Sequence, residues 1–128
     1  MKHVLTIILA FMSLCMVAQT KVENVDAATF KKLIDENKYE LIDLRTDDEL
    51  TKKGFIKGAK QIDWFKKDAE ATIKALDKTK TYLVYCAAGG RSGQCAELMA
   101  KEGFTKVYNL SKGFDDWKKQ GFDIELKK

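Results

Sequence analysis

The chain of 128 residues contains one histidine, three cysteines and no proline. The histidine is His3, inside an N-terminal stretch, MKHVLTIILAFMSLCMVAQT, that has the layout of a secretory leader. A basic start (Lys2, His3) precedes the apolar run Val4–Val17, and small or polar residues follow. At about 1.5 Å per helical residue that run falls short of a hydrocarbon core of roughly 30 Å. The expectation is therefore a signal peptide over residues 1–18, cleaved after Ala18 or after Thr20, and an exported, periplasmic protein.

Loss of the leader removes the only imidazole. Cys–His and Ser–His–Asp catalysis are then excluded, and so is a Cys/His zinc site. Two cysteines remain, Cys86 and Cys95, and they are not spaced as a C-x-x-C pair. No metal or cofactor is expected. Absence of proline, with no repeat and no Gly-rich linker, leaves residues 22–128 as one domain. The 23 Lys and Arg include Lys2, so the processed chain carries 22 against 19 Asp and Glu, a net charge of +3. Its lysines are spread rather than massed, and no nucleic-acid face or membrane partner is expected.

Strand and helix patterns alternate along the rest. VENV (22–25) reads as a short edge strand, and Asp26 as the N-cap of a helix over 27–37 with Ala27, Phe30, Leu33 and Ile34 on one face. YELIDL (39–44), AKQID (59–63), TYLVY (81–85) and KVYNL (106–110) read as strands. DDEL, 66–76, 91–102 and 113–120 read as helices, with Gly103 and Gly121 as stops. Such alternation, with apolar central strands, predicts an α/β fold with a mainly parallel sheet covered on both faces. Cys86 then sits at the C-terminal end of a central strand, where open α/β sheets place their ligands.

The stretch that follows, CAAGGR, is built for an anion. Gly89 and Gly90 permit positive φ, and Ala87 and Ala88 add little bulk, so several N–H groups can turn inward as a nest. The start of the next helix and Arg91 add positive charge. Each effect favours a thiolate, so Cys86 is expected to be nucleophilic at neutral pH without a base.

Residues 86–121, CAAGGRSGQCAELMAKEGFTKVYNLSKGFDDWKKQG, resemble the second half of a single-domain rhodanese. LIDLRTDDELTKKGFIKGAKQI (41–62) resembles the segment of that family ending in GHIPGA. The resemblance implies a five-stranded parallel sheet with flanking helices, and a sulfurtransferase with thiosulfate or another sulfane-sulfur donor as substrate. It implies Cys86 as the catalytic, persulfide-forming nucleophile and Ala87, Ala88, Gly89, Gly90 and Arg91 as the substrate cradle, with Arg91 holding a sulfonate. The acceptor would be a thiol, cyanide in an assay, or a protein; a monomer is expected. Phe55 and Lys57 stand where the family has His and Pro, and Lys112-Gly113 where it has Gly-Gly. Gly93, early in a helix, costs about 1 kcal/mol against alanine.

Two rival functions follow from the same loop. A persulfide carrier would keep Cys86 without fast turnover. A phosphatase or arsenate reductase would need a Cys-x5-Arg loop, one residue longer than Cys86–Arg91. Cys95 is expected in the core beside Leu98 and Met99, with a disulfide to Cys86 as the alternative. Arg45 is expected to pair with Glu49 at i, i+4. Phe114 and Trp117 should pack the last helix, and Trp64, Phe65 and Tyr85 are candidates for the pocket rim.

Overall fold

The computed structural model describes residues 19–128, so the expected leader lies outside the described residues. Ten elements alternate: β1 (Lys21–Val25), α1 (Ala27–Asp35), β2 (Glu40–Asp43), α2 (Asp47–Lys53), β3 (Lys60–Gln61), α3 (Ala69–Lys74), β4 (Thr81–Tyr85), α4 (Gly90–Lys101), β5 (Lys106–Leu110) and α5 (Gly113–Lys119). The five strands form one parallel sheet in the order β1-β5-β4-β2-β3. The α/β class, the parallel sheet and the edge position of β1 agree with the reading of the sequence.

Alternation along β4 divides the interior in two. Tyr82 and Val84, followed by Cys86, face a core built with Ala69 and Ile73 of α3 and Cys95, Ala96 and Met99 of α4. Leu83 and Tyr85 face the other, with Ala27 and Phe30 of α1 and Phe114 and Trp117 of α5. Burial on both faces is why TYLVY is a continuous apolar run rather than an alternating one. Phe30 meets both Tyr85 and Trp117 edge-on, at centroid separations of 6.3 and 6.2 Å.

Local signals account for most boundaries. The Asp26 carboxylate accepts from the Thr29 N–H at 2.9 Å and caps α1. α2 runs past DDEL to Lys53 and stops at Gly54, whose φ of +85° breaks the helical path. α3 is shorter than expected, because the Asp63 carboxylate accepts from the Phe65 N–H and holds a turn before it. At Phe55, where the family pattern departs, the backbone pairs both ways with Glu125 of the C-terminal tail, at 2.9 and 2.8 Å.

Arg45 overturns one expectation. It does not pair with Glu49; its Nε and Nη2 donate to the two Asp43 oxygens at 3.0 and 2.7 Å, and Nη2 also donates to the Gly54 carbonyl. The pair is completely buried, with the guanidinium 4.0 Å from the Phe114 ring centroid. The i, i+4 rule fails because Arg45 lies before the helix, and Thr46, its N-cap, turns Glu49 elsewhere. Tyr85 is likewise no rim residue: it is buried on the α1/α5 face, its hydroxyl accepting from the Ile56 N–H at 3.1 Å. Among the described residues no helix is long and apolar enough to cross a membrane.

Candidate active site

β4 ends at Tyr85, and the next six residues fold back over the end of the sheet. Two hydrogen bonds from the start of α5 fix this loop from behind: Phe114 N–H to the Cys86 carbonyl at 2.8 Å, and Asp115 N–H to the Ala87 carbonyl at 3.0 Å. With those carbonyls committed outward, the following N–H groups are free to turn in. Gly89, at φ +99°, makes the reversal and caps α4. A Cβ there would lie 2.1 Å from the Ser111 carbonyl, so no other residue fits. Of the two glycines that permit positive φ only Gly89 uses it; Gly90 begins α4 with helical geometry.

The turned-in donors meet at sulfur. Cys86 Sγ accepts from the Gly89 N–H at 3.2 Å and the Ser92 N–H at 3.4 Å, and the Ser92 hydroxyl lies 3.4 Å away. That hydroxyl is also 3.2 Å from the Gly89 carbonyl, its alternative acceptor when the sulfur is protonated. Burial pushes the Cys86 thiol up. The Ser92 hydroxyl, then the N–H groups of Ser92, Gly89 and Ala88, outweigh it and bring the thiol below its ordinary value. Cys95 has no such donors; burial first, and then the charge of Cys86, push it up to about 12. Both are free thiols. Alkylation followed against pH should therefore turn on at Cys86 with a midpoint below the ordinary value of about 8.5, while Cys95 stays unlabelled there. Peptide mapping by mass spectrometry reads both rates.

Ala87 and Ala88 lie in the loop, the first contributing a carbonyl that accepts from the Asp115 N–H. Arg91 is placed otherwise than expected. Its Nη1 and Nη2 donate to the two Glu49 oxygens, both at 2.8 Å, across 42 residues of sequence. Glu49 Oε2 also accepts from the Thr46 N–H and hydroxyl, and the Thr46 hydroxyl accepts from the Glu49 N–H, a reciprocal cap on α2. The Arg91 fork, with the Thr46 contacts, holds the Glu49 carboxyl at about 2 despite partial burial. The guanidinium also lies 5.0 Å from the ring centroid of exposed Phe65. Beside it the Trp64 indole N–H donates to Gln94 at 3.0 Å.

Sequence reasoning passed over Ser92 and misassigned Glu49. The Thr46-x-x-Glu49 pattern carried the signal for Glu49, since it is the sequence form of a capping box. A groove of about 620 Å³ lies between α1, α5 and the tail, lined by Ile34, Ile56, Trp117 and Ile124 among others, and includes none of residues 86–91. The thiol cradle and this groove are separate features.

Residues 26–120 match the family model of the rhodanese-like domain. The chain is similar to the uncharacterized protein YqhL of Bacillus subtilis, 37% identical over 91 residues, which are 71% of this chain and 68% of that one. It is similar over a shorter span to the thiosulfate sulfurtransferase GlpE of Actinobacillus pleuropneumoniae, 34% identical over 53 residues, 41% of this chain. That alignment spans about half, 49%, of the relative's length. Among solved structures it resembles the 30 kDa polysulfide-sulfur transferase homodimer of Wolinella succinogenes, with a TM-score of 0.71 and 26% identity. That likeness covers 83% of this chain and 80% of the other. On the family match, which takes in every element from α1 to α5, the protein belongs to the rhodanese-like domain family.

Proposed function

We propose that this chain moves a sulfane sulfur from thiosulfate or a similar donor to a thiophilic acceptor through a persulfide on Cys86. One observation carries the reading: a cysteine sulfur at the end of a central strand receives two backbone N–H groups and faces a hydroxyl, with no imidazole among the described residues. Such a cradle favours the thiolate, and the same donors would suit the terminal sulfur of a persulfide. Related proteins named as sulfurtransferases use thiosulfate or polysulfide, which supports the class of chemistry.

In the first half-reaction the Cys86 thiolate attacks the outer sulfur of the donor. A sulfur–sulfur bond forms at Cys86, the donor's own bond breaks, and its electron pair leaves with the leaving group, sulfite in the case of thiosulfate. In the second, an acceptor thiolate or cyanide takes the outer sulfur and the Cys86 thiolate returns. This is double displacement by a covalent intermediate, related to thiol–disulfide exchange. No metal or cofactor enters either step. The six-residue span from Cys86 to Arg91 is one residue short of the phosphatase loop, which disfavours phosphate chemistry. Export to the periplasm belongs to the same proposal, on the strength of the leader pattern, and action as a monomer is proposed with it.

Intact mass of the protein before and after thiosulfate tests it. Wild type should gain about 32 Da, lost on adding cyanide, and Cys86→Ala should gain nothing. A steady release of thiocyanate identifies a turnover enzyme, and a single burst a carrier. A mass two protons lower, with no added sulfur, would mean a Cys86–Cys95 disulfide and overturn the reading.

A further inference from the structure

Arg91 is the one cation of the loop, yet its fork is already filled. Both terminal nitrogens bind Glu49 at 2.8 Å, and Glu49 is itself held by two donors of Thr46. Phe65 covers the guanidinium at 5.0 Å. A planar cation bound bidentately to one carboxylate has neither its charge nor its best donors to give a second anion. The donor therefore meets a cradle of N–H groups whose own cation is engaged. Thiosulfate brings two charges, of which the sulfonate needs a partner. A hydropersulfide of a small thiol with no other charged group brings at most one, and it resides on the sulfur that the N–H groups accommodate.

Building on the sulfur-transfer reading, we propose that Glu49 sets donor specificity by sequestering Arg91, so that the site takes small-thiol hydropersulfides in preference to thiosulfate. With that donor the Cys86 thiolate attacks the terminal sulfur of R–S–SH. The donor's sulfur–sulfur bond breaks, its electron pair leaves with R–S⁻, and Cys86–S–SH remains. No external oxidant or reductant is needed, because the sulfane sulfur passes on at its existing oxidation level. Glu49 touches neither donor nor sulfur and acts through Arg91 as a positioning residue.

The test compares rates of Cys86 sulfur loading, by intact mass, with thiosulfate and with 2-hydroxyethyl hydropersulfide, whose organic part is uncharged. Wild type should load from the hydropersulfide at least about tenfold faster. Glu49→Gln keeps the shape and the Thr46 contacts but removes the charge. It should speed loading from thiosulfate about tenfold and change loading from the hydropersulfide by less than about threefold. A common change for both donors would reflect the reactivity of the thiol, not donor choice, and would overturn the proposal. The thiosulfate gain should vanish in Glu49→Gln/Arg91→Ala; a gain that persists there overturns it as well. Arg91→Ala alone reads the same point without altering Glu49. It should slow wild-type loading from thiosulfate less than about threefold, and a thirtyfold loss would show that Arg91 already serves the donor. Loading of Cys86 from both donors without these differences defeats only the role of Glu49. No loading from either donor defeats the sulfur-transfer reading and this inference together.

Discussion

Alanine at position 113 is expected to slow sulfur loading of Cys86 about a hundredfold while leaving the protein folded. Gly113 has φ +71°, and a Cβ there would fall 2.3 Å from the Ala87 carbonyl oxygen and 2.6 Å from the Ala88 nitrogen. Those are backbone atoms of the cradle, so relief requires the loop or α5 to move. Movement of either breaks the Phe114-to-Cys86 and Asp115-to-Ala87 hydrogen bonds that aim the loop's N–H groups at sulfur. A displacement near 1 Å at a reacting centre can cost about a hundredfold in rate. The left-handed backbone adds about 1–2 kcal/mol of destabilisation for any residue with a Cβ. Gly121 separates the two effects, since its φ is +82° but nothing lies within 4 Å of the added carbon. Gly121→Ala should show the stability loss in thermal unfolding and normal loading in the mass assay. Equal loading rates for the two variants would refute the role given to Gly113.

Asp43→Ala should destabilise the fold by about 3–5 kcal/mol, because it strands a buried cation. For a domain near 100 residues that lowers Tm by roughly 12 °C or more. Arg45 has no route to water: it is completely buried, its fork is closed on Asp43, and Phe114 lies against it. Nη1 is already buried without a hydrogen-bond partner among the described residues, so the site has no spare acceptor. Replacing both partners with leucine should recover much of the loss, since it removes the charge as well as the pair. Differential scanning calorimetry of the single and double variants decides this, and a single variant that melts like wild type would remove the pair from the account of stability.

What the sequence shows and what it hides separate along physical lines. β4 and β5 form with the predicted bounds, because apolar and β-branched runs buried on both faces leave little choice. Asp26 is legible as a cap because the interaction spans three residues. β3 is two residues long, where five were expected, since AKQID has too little apolar surface to sustain more. The thiol and its loop could be found from spacing alone, but the direction of Arg91 could not. That direction depends on α2 and α4 meeting in space, 42 residues apart, and the nearer partner suggested by helix spacing, Arg45 for Glu49, is the wrong one.

β1 is made first and completed last. Among the described residues its one partner in the sheet is β5, and the register joins Lys21 to Lys106 and Val25 to Leu110. On a ribosome, a nascent chain that stops short of residue 106 has no place for β1, and β4 is left with an open edge. Closing so long a loop is slow, and pairing of this kind delays folding relative to local contacts. The native sheet is therefore assembled only after synthesis has passed Leu110, and until then residues 21–25 lack their partner in the sheet.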